Sequence, residues 1–247
     1  MIALLEWTPP ERGKRQRSVI VKEEMVMRLR LLRAGVLRGP RTPEAILRRR
    51  VLAAGKRLRK LGATRAVLPE GFPYGQELAR CGIRPVSTLS LRRALAADWV
   101  RWELEEKGRS TAGARVAVCA AQLTGEVVRT VTELCLRHRY VLLDLPYGGE
   151  ELCRQLRREY GVSLLLGPSK EQLEGADALV LFDPRTDLRN PVELTLYDEA
   201  QPLPPMGLPP AMEKSLPPGA DRSQLLAALR EAGILRPGQI AVVGARA

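Results

Sequence analysis

Residues 115–125 read Arg-Val-Ala-Val-Cys-Ala-Ala-Gln-Leu-Thr-Gly. A nearly continuous apolar run gives way to a turn, and residues 124–138 then place Val127, Val128, Val131, Leu134 and Cys135 at helical spacing. A strand without polar alternation is one buried on both faces, the situation inside a parallel sheet. The pattern recurs downstream. Residues 140–145 read as a second strand, and 149–160 as a helix with Leu152, Cys153, Leu156 and Tyr160 on one face. A third strand at 162–167, a short helix at 169–174 and a fourth strand at 178–182 follow. Strands alternating with helices in this way predict parallel α/β structure.

Upstream the pattern is mixed and predicts a second, smaller α/β lobe, with strands at 2–7, 19–21 and 65–68. Thr42-Pro43 sets a capping hydroxyl before a proline at the first helical position. The helix it opens carries Leu47, Val51, Ala54, Leu58 and Leu61 as its apolar stripe. Residues 90–106 read as one helix with Leu91, Leu95, Trp99 and Trp102 inward, leaving through a turn at 108–113. Residues 201–219 hold seven of the 19 prolines, which predicts an extended polyproline-II connector. Asp221-Arg-Ser-Gln224 resembles a capping box for a last helix carrying Leu225, Leu226 and Leu229, and 239–243 add a last strand. The expected architecture is therefore α/β in two lobes: a basic α/β lobe at 1–110 and a parallel sheet flanked by helices at 111–200. A proline-rich connector at 201–220 and a C-terminal helix and strand at 221–247 complete it.

With 247 residues, 45 % hydrophobic and 28 % charged, the composition is that of an ordinary globular chain. No apolar run approaches the roughly 18 to 20 residues of a membrane-spanning helix, and the start has no signal-peptide layout, so a cytoplasmic protein is expected. Cysteines stand at 81, 119, 135 and 153 with no Cys-x-x-Cys pair, and His138 is the single histidine. That excludes a zinc cage by spacing and reads the cysteines as buried small hydrophobes in a reducing compartment, so no metal site is expected. His138 falls at a helix C-terminus, where a partly charged imidazole is favoured.

The formal charge of +12 is unevenly distributed. Residues 1–110 carry 25 Lys and Arg against 11 Asp and Glu, a balance of +14, whereas 111–247 carry 15 against 17. Arg48, Arg49, Arg50, Lys56, Arg57, Arg59 and Lys60 crowd one helix opposite its apolar stripe. Such a face suits an anionic partner, nucleic acid or an acidic protein, and reads equally as a solvated helix surface. None of the ten aromatic residues is interleaved with it, so a stacking platform for single strands is missing.

Residues 115–183 resemble the NAD(P)-binding Rossmann superfamily, and within it the second lobe of shikimate-dehydrogenase-like two-lobed enzymes. The resemblance lies in Val116-Ala-Val-Cys119 followed by Ala120-Ala-Gln-Leu-Thr-Gly125, in Asp144 closing the next strand, and in the runs 152–161 and 173–181. It implies that Ala120, Gln122 and Gly125 stand where the superfamily has G-x-G-x-x-G, and Asp144 where an acid holds a ribose hydroxyl of NAD or NADP. Gly125 would keep the glycine that packs helix against strand, while Gln122 would fill the space the pyrophosphate needs. The Ser-x-Ser and Asn-x-Thr-x-Pro-Lys segments of shikimate-type enzymes are absent from the first lobe.

If a small-molecule site exists, it belongs at the carboxyl edge of the sheets, on Asp144-Leu-Pro-Tyr-Gly-Gly149, Asp183-Pro-Arg185 and the loop Glu70-Gly-Phe-Pro-Tyr-Gly75. The last of these reads equally as a rigid connector. Two functions are expected from the residues. One is a small-molecule or nucleotide-binding Rossmann-like protein with a degenerate phosphate loop, a remnant of an NAD(P)-dependent dehydrogenase. The alternative is a non-catalytic protein that binds nucleic acid or an acidic partner through the Arg-rich first lobe.

Overall fold

The computed structural model describes residues 1–10, 16–111 and 113–243. Residues 11–15 of the basic lobe, residue 112 of the expected 108–113 turn and residues 244–247 lie outside them. The chain divides into two compact units, Met1–Thr88 with Leu208–Gln239, and Leu89–Gly207 with Ile240–Ala247.

The first unit contains β1 (Ile2–Thr8), β2 (Val19–Val26), β3 (Leu29–Leu37), α1 (Glu44–Lys60), β4 (Arg65–Val67), α2 (Gly75–Ala79) and β5 (Arg84–Pro85). Its sheet runs β2-β3-β1-β4-β5, parallel except for β2. Leu47, Val51, Ala54 and Leu58 of α1 pack on Ala3, Leu5, Leu32, Ala34 and Val36, as the stripe requires. Leu61 does not join them: it caps the helix C-terminus and is 51 % exposed. Thr42 is not the cap either. Its Oγ1 accepts from Gly39 N at 2.9 Å, and Pro43 takes the N-cap position with no side-chain bond.

Strand β3 carries no advance notice in the sequence. The β2–β3 hairpin turns on Met27 and Arg28 at φ of 48° and 75°, left-handed values that Asn-Gly or Asp-Gly ordinarily supply. Arg30 and Arg33 further break its apolar alternation. Arg33 is nonetheless held, its Nη2 donating to Glu6 at 2.6 Å and its Nη1 to Glu24 at 2.8 Å. Two later helices, α8 (Pro210–Glu213) and α9 (Arg222–Glu231), also belong to this unit. Asp221 caps α9 by accepting from Gln224 N at 3.0 Å, while the Gln224 side chain turns to Leu68 N instead of closing a capping box.

The second unit contains α3 (Leu89–Ala94), α4 (Ala96–Glu106), β6 (Arg115–Cys119), α5 (Gly125–Arg137), β7 (Tyr140–Asp144), α6 (Gly149–Tyr160), β8 (Leu165–Leu166), α7 (Lys170–Glu174), β9 (Ala178–Leu181) and β10 (Glu193–Thr195). The five strands are parallel in the order β10-β9-β6-β7-β8, with Val116 opposite Val141 on one side and Ala178 on the other. Strand order reverses at β6, whose neighbours β7 and β9 come from opposite windings, which defines a Rossmann-like α/β unit. One face is covered by Trp99, Leu104, Val127, Val131, Leu134, Leu152 and Leu156 from α4, α5 and α6.

The helix expected at 90–106 is two, because Leu95 leaves helical geometry and its amide is shared between the Leu91 and Arg92 carbonyls. Tyr160 is 48 % exposed at the end of α6 instead of lying on its apolar face. The proline-rich connector holds β11 (Met206–Gly207), antiparallel to β12 (Ala241–Val242) in the second unit, and then α8, so it is not one extended segment. Cys119 and Cys135 are buried, but Cys81 and Cys153 are only half-buried. His138 is 4 % exposed, and its Nδ1 lies 2.8 Å from Thr111 O. Burial pushes its pKa down, opposed by that hydrogen bond, so the imidazole is neutral and not a cation complementing the helix.

Candidate functional site

The carboxyl ends of β6, β7 and β9 converge where the strand order reverses. They enclose a cavity of about 240 Å³ lined by Cys119, Ala120, Ala121, Asp144, Pro146, Asp183, Pro184 and Arg185. Parallel strands bring these residues together because each ends at the same level: Cys119 is in register with both Asp144 and Leu181. Asp183 and Arg185 then follow β9 over the edge.

The polar groups of the cavity are already engaged with one another. Arg185 Nη1 donates to Asp144 Oδ2 at 2.5 Å, while its Nε and Nη2 donate to the two oxygens of Asp187 at 2.8 and 3.0 Å. The paired carboxylates raise the Arg185 pKa, Asp187 more than Asp144. The same contact holds Asp187 down at about 2. Asp183 Oδ2 accepts from Ala121 N at 2.7 Å, so a side-chain carboxylate sits on an amide of the turn between β6 and α5. In α5 itself, Thr124 Oγ1 accepts from Val127 N. Cys119 is a thiol at neutral pH, pushed up to about 12 by burial and then by Asp144, which removes it as a nucleophile.

Of the residues singled out for a cofactor, Ala120 and Asp144 line this cavity, whereas Gln122 on the turn and Gly125 at the start of α5 are exposed outside it. Gly125 does not serve close packing: a Cβ there would meet nothing within 4 Å. The close approach is made by Gly148, at φ 83°, whose Cβ would lie 2.8 Å from Leu123. The roles of Asp183 and Arg185 rest on pairings 62 and 41 residues apart, beyond any local pattern.

In the first unit, the Glu70–Gly75 loop is a packed connector. Phe72 packs tilted and Tyr74 edge-on against Trp7, at centroid distances of 5.5 and 6.0 Å, and Glu70 N donates to Gly219 O. The basic face of α1 is partly engaged as well. Arg50 donates to Leu37 O, Arg57 to Val19 O at 2.8 Å, and Arg48 pairs with Glu44 at 2.7 Å. Arg49, Lys56, Arg59 and Lys60 are exposed. Among the described residues no group of His, Cys, Asp and Glu is placed to hold a metal, and no helix is long and apolar enough to cross a membrane.

Fold and cavity together define the second unit as a Rossmann-like lobe with a small pocket at its switch point. No known protein family matches the chain, and no curated protein does. Among solved structures it is similar to the L-tryptophan dehydrogenase of Nostoc punctiforme at 12 % identity, covering 62 % of this chain and 45 % of that one, with a TM-score of 0.29. It is similar to eIF2B beta of Chaetomium thermophilum at 16 %, covering 56 % and 55 %, TM-score 0.28. The shikimate 5-dehydrogenase of Listeria monocytogenes follows at 11 %, covering 60 % and 57 %, TM-score 0.27. The chain thus spans about half the length of these structures. Likenesses this distant decide nothing further, and the class rests on strand order and register.

Proposed function

We propose that the second unit binds a small hydroxyl-bearing ligand, of nucleoside size or smaller, at the carboxyl ends of β6, β7 and β9. The observation that carries this reading is the Asp183 carboxylate on Ala121 N at the strand-order reversal. In this fold that turn supplies the amides that receive a phosphate, and here the chain's own anion has taken one of them. Of the two Asp144 oxygens, Arg185 engages Oδ2, which leaves Oδ1 to accept from a ligand hydroxyl. The cavity, about 240 Å³, is below the range of ordinary drug-sized sites, and its carboxylates disfavour a pyrophosphate. NAD and NADP therefore do not fit the residues as arranged.

Thermal unfolding with adenosine, AMP, NAD and NADP tests this. A ligand at about 100 times its dissociation constant stabilises by about 2.7 kcal/mol, which moves the midpoint by several degrees. The expected order is adenosine above AMP, with no shift from either dinucleotide and loss of the adenosine shift in Asp144→Ala. A dinucleotide shift in the wild-type chain, or no shift with adenosine, overturns the reading.

A further inference from the structure

The opposite, amino end of the same sheet carries a larger opening. In a doubly wound unit both sheet faces need cover. Here the second face, formed by Ala117, Cys119, Leu142, Leu179 and Leu181, packs among the described residues against Leu173 of the five-residue α7, Ala176, Leu188 and Tyr197. No helix intervenes between β9 and β10. The thin layer leaves a groove of about 910 Å³ lined by Arg115, Arg139, Tyr140, Leu142, Arg157 and Leu165, among others. Registers of Arg115 with Tyr140, Ala117 with Leu142 and Leu142 with Leu165 put Arg115, Tyr140, Leu142 and Leu165 on the same face. Tyr140 is 49 % and Leu165 46 % exposed, so the floor is apolar and open.

The rim has the opposite character. Arg115, Arg139 and Arg157 are all exposed, Arg157 from the last turn of α6, and Arg139 is set over the Tyr140 ring at 5.5 Å. Asp177 is the carboxylate on the wall, and it is already committed: Arg115 N donates to it at 2.9 Å and Arg109 Nη1 at 3.0 Å. Three guanidiniums thus border an apolar floor inside the half of the chain whose net charge is not positive. Guanidinium forks match carboxylate and phosphate oxygens, and a groove this size is within the roughly 300–1,000 Å³ of small-molecule sites.

We propose that this groove binds a small amphiphilic anion, a carboxylate or phosphate monoester on an apolar body. Arg115, Arg139 and Arg157 take the head, and Tyr140, Leu142 and Leu165 take the body. The site is separate from the switch-point cavity and does not depend on it. Calorimetric titration of the full chain with decanoate, decyl phosphate and 1-decanol tests the assignment. One anion per chain is expected, at least tenfold tighter than decanol. Arg139→Gln with Arg157→Gln should weaken the anion at least tenfold and leave decanol unchanged; both side chains are exposed, so folding persists, which circular dichroism checks. Leu165→Gln should weaken anion and alcohol alike, while Arg48→Gln with Arg49→Gln on α1 should change neither. Decanol binding as tightly as the anions, loss of anion binding in the α1 variant, or association only with anionic phosphatidylglycerol vesicles overturns the proposal.

Discussion

Replacing Asp183 by alanine frees Ala121 N, which now donates to Asp183 Oδ2 at 2.7 Å, and removes a negative charge from the mouth of the α5 turn. A phosphate reaching for that amide must displace the carboxylate and then remain close to it. Two unit charges 4 Å apart repel by about 1 kcal/mol under water-like screening and about 4 kcal/mol at an effective dielectric of 20. Asp183 is half-buried at the edge of the cavity, so the water figure is the lower bound. A pyrophosphate with two charges then meets about 2 kcal/mol of repulsion, and the freed amide adds roughly 0.5–1.5 kcal/mol as a hydrogen bond. Since 1.4 kcal/mol is a factor of ten, Asp183→Ala should bind NADH roughly 60-fold or more tightly than the wild-type chain. Asp183→Asn keeps an oxygen for Ala121 N and loses only the charge, so it should fall between. Titration of NADH fluorescence measures all three. Equal NADH affinity in wild type and Asp183→Ala would refute the argument that the internal carboxylate excludes phosphate.

Gly55, inside α1, is expected to reject alanine despite the roughly 1 kcal/mol that alanine adds to a helix, because its Cβ would lie 2.9 Å from Cys81 Sγ. Overpacking costs about 1–3 kcal/mol, so urea unfolding should show a net loss that Cys81→Ala largely restores. His138 has a lowered folded pKa, so its contribution to stability is complete above the unfolded value near 6.5 and is lost as pH falls from there through the folded one. The acid-side decline in the urea midpoint should be shallower in His138→Phe, and an unchanged slope would show that His138 does not cause it. Arg33→Gln leaves Glu6 and Glu24 facing each other without their shared cation. With about a quarter of these side chains still exposed, a loss of roughly 1–2 kcal/mol is expected, below the 3–5 of full burial, and chemical denaturation should find Glu6→Gln partly compensating.

Much of the second unit is legible in residue order. The helix at 149–160 matches α6, and four β-type runs match β6, β7, β8 and β9, the third shrinking to Leu165–Leu166. Strands buried on both faces and helices with one apolar stripe announce themselves, because burial demands those periods locally. Capping is less dependable. Thr124 and Ser169 cap their helices, but Thr42 serves Gly39, because a hydroxyl bonds whichever amide the backbone brings nearest. Strand β3 stayed hidden because its turn uses Met27 and Arg28, and its arginines read as surface until Glu6 and Glu24 are brought beside Arg33.

The site divides along the same line. Residue order located the ends of the strands that became β6 and β7 and a turn at 120–125 whose one glycine is Gly125, since these are local properties. It had no access to the side chains gathered at those ends. Asp183 on the Ala121 amide and Arg185 across Asp144 exist because parallel register stacks the carboxyl ends of β6, β7 and β9 at one level. Charge showed the same limit on α1, where the sequence does not tell that Arg50 and Arg57 donate to backbone carbonyls of β3 and β2 while Arg49, Lys56, Arg59 and Lys60 stay exposed. Local periodicity is a one-dimensional consequence of burial, whereas the partner of a polar side chain is a property of distance in three dimensions.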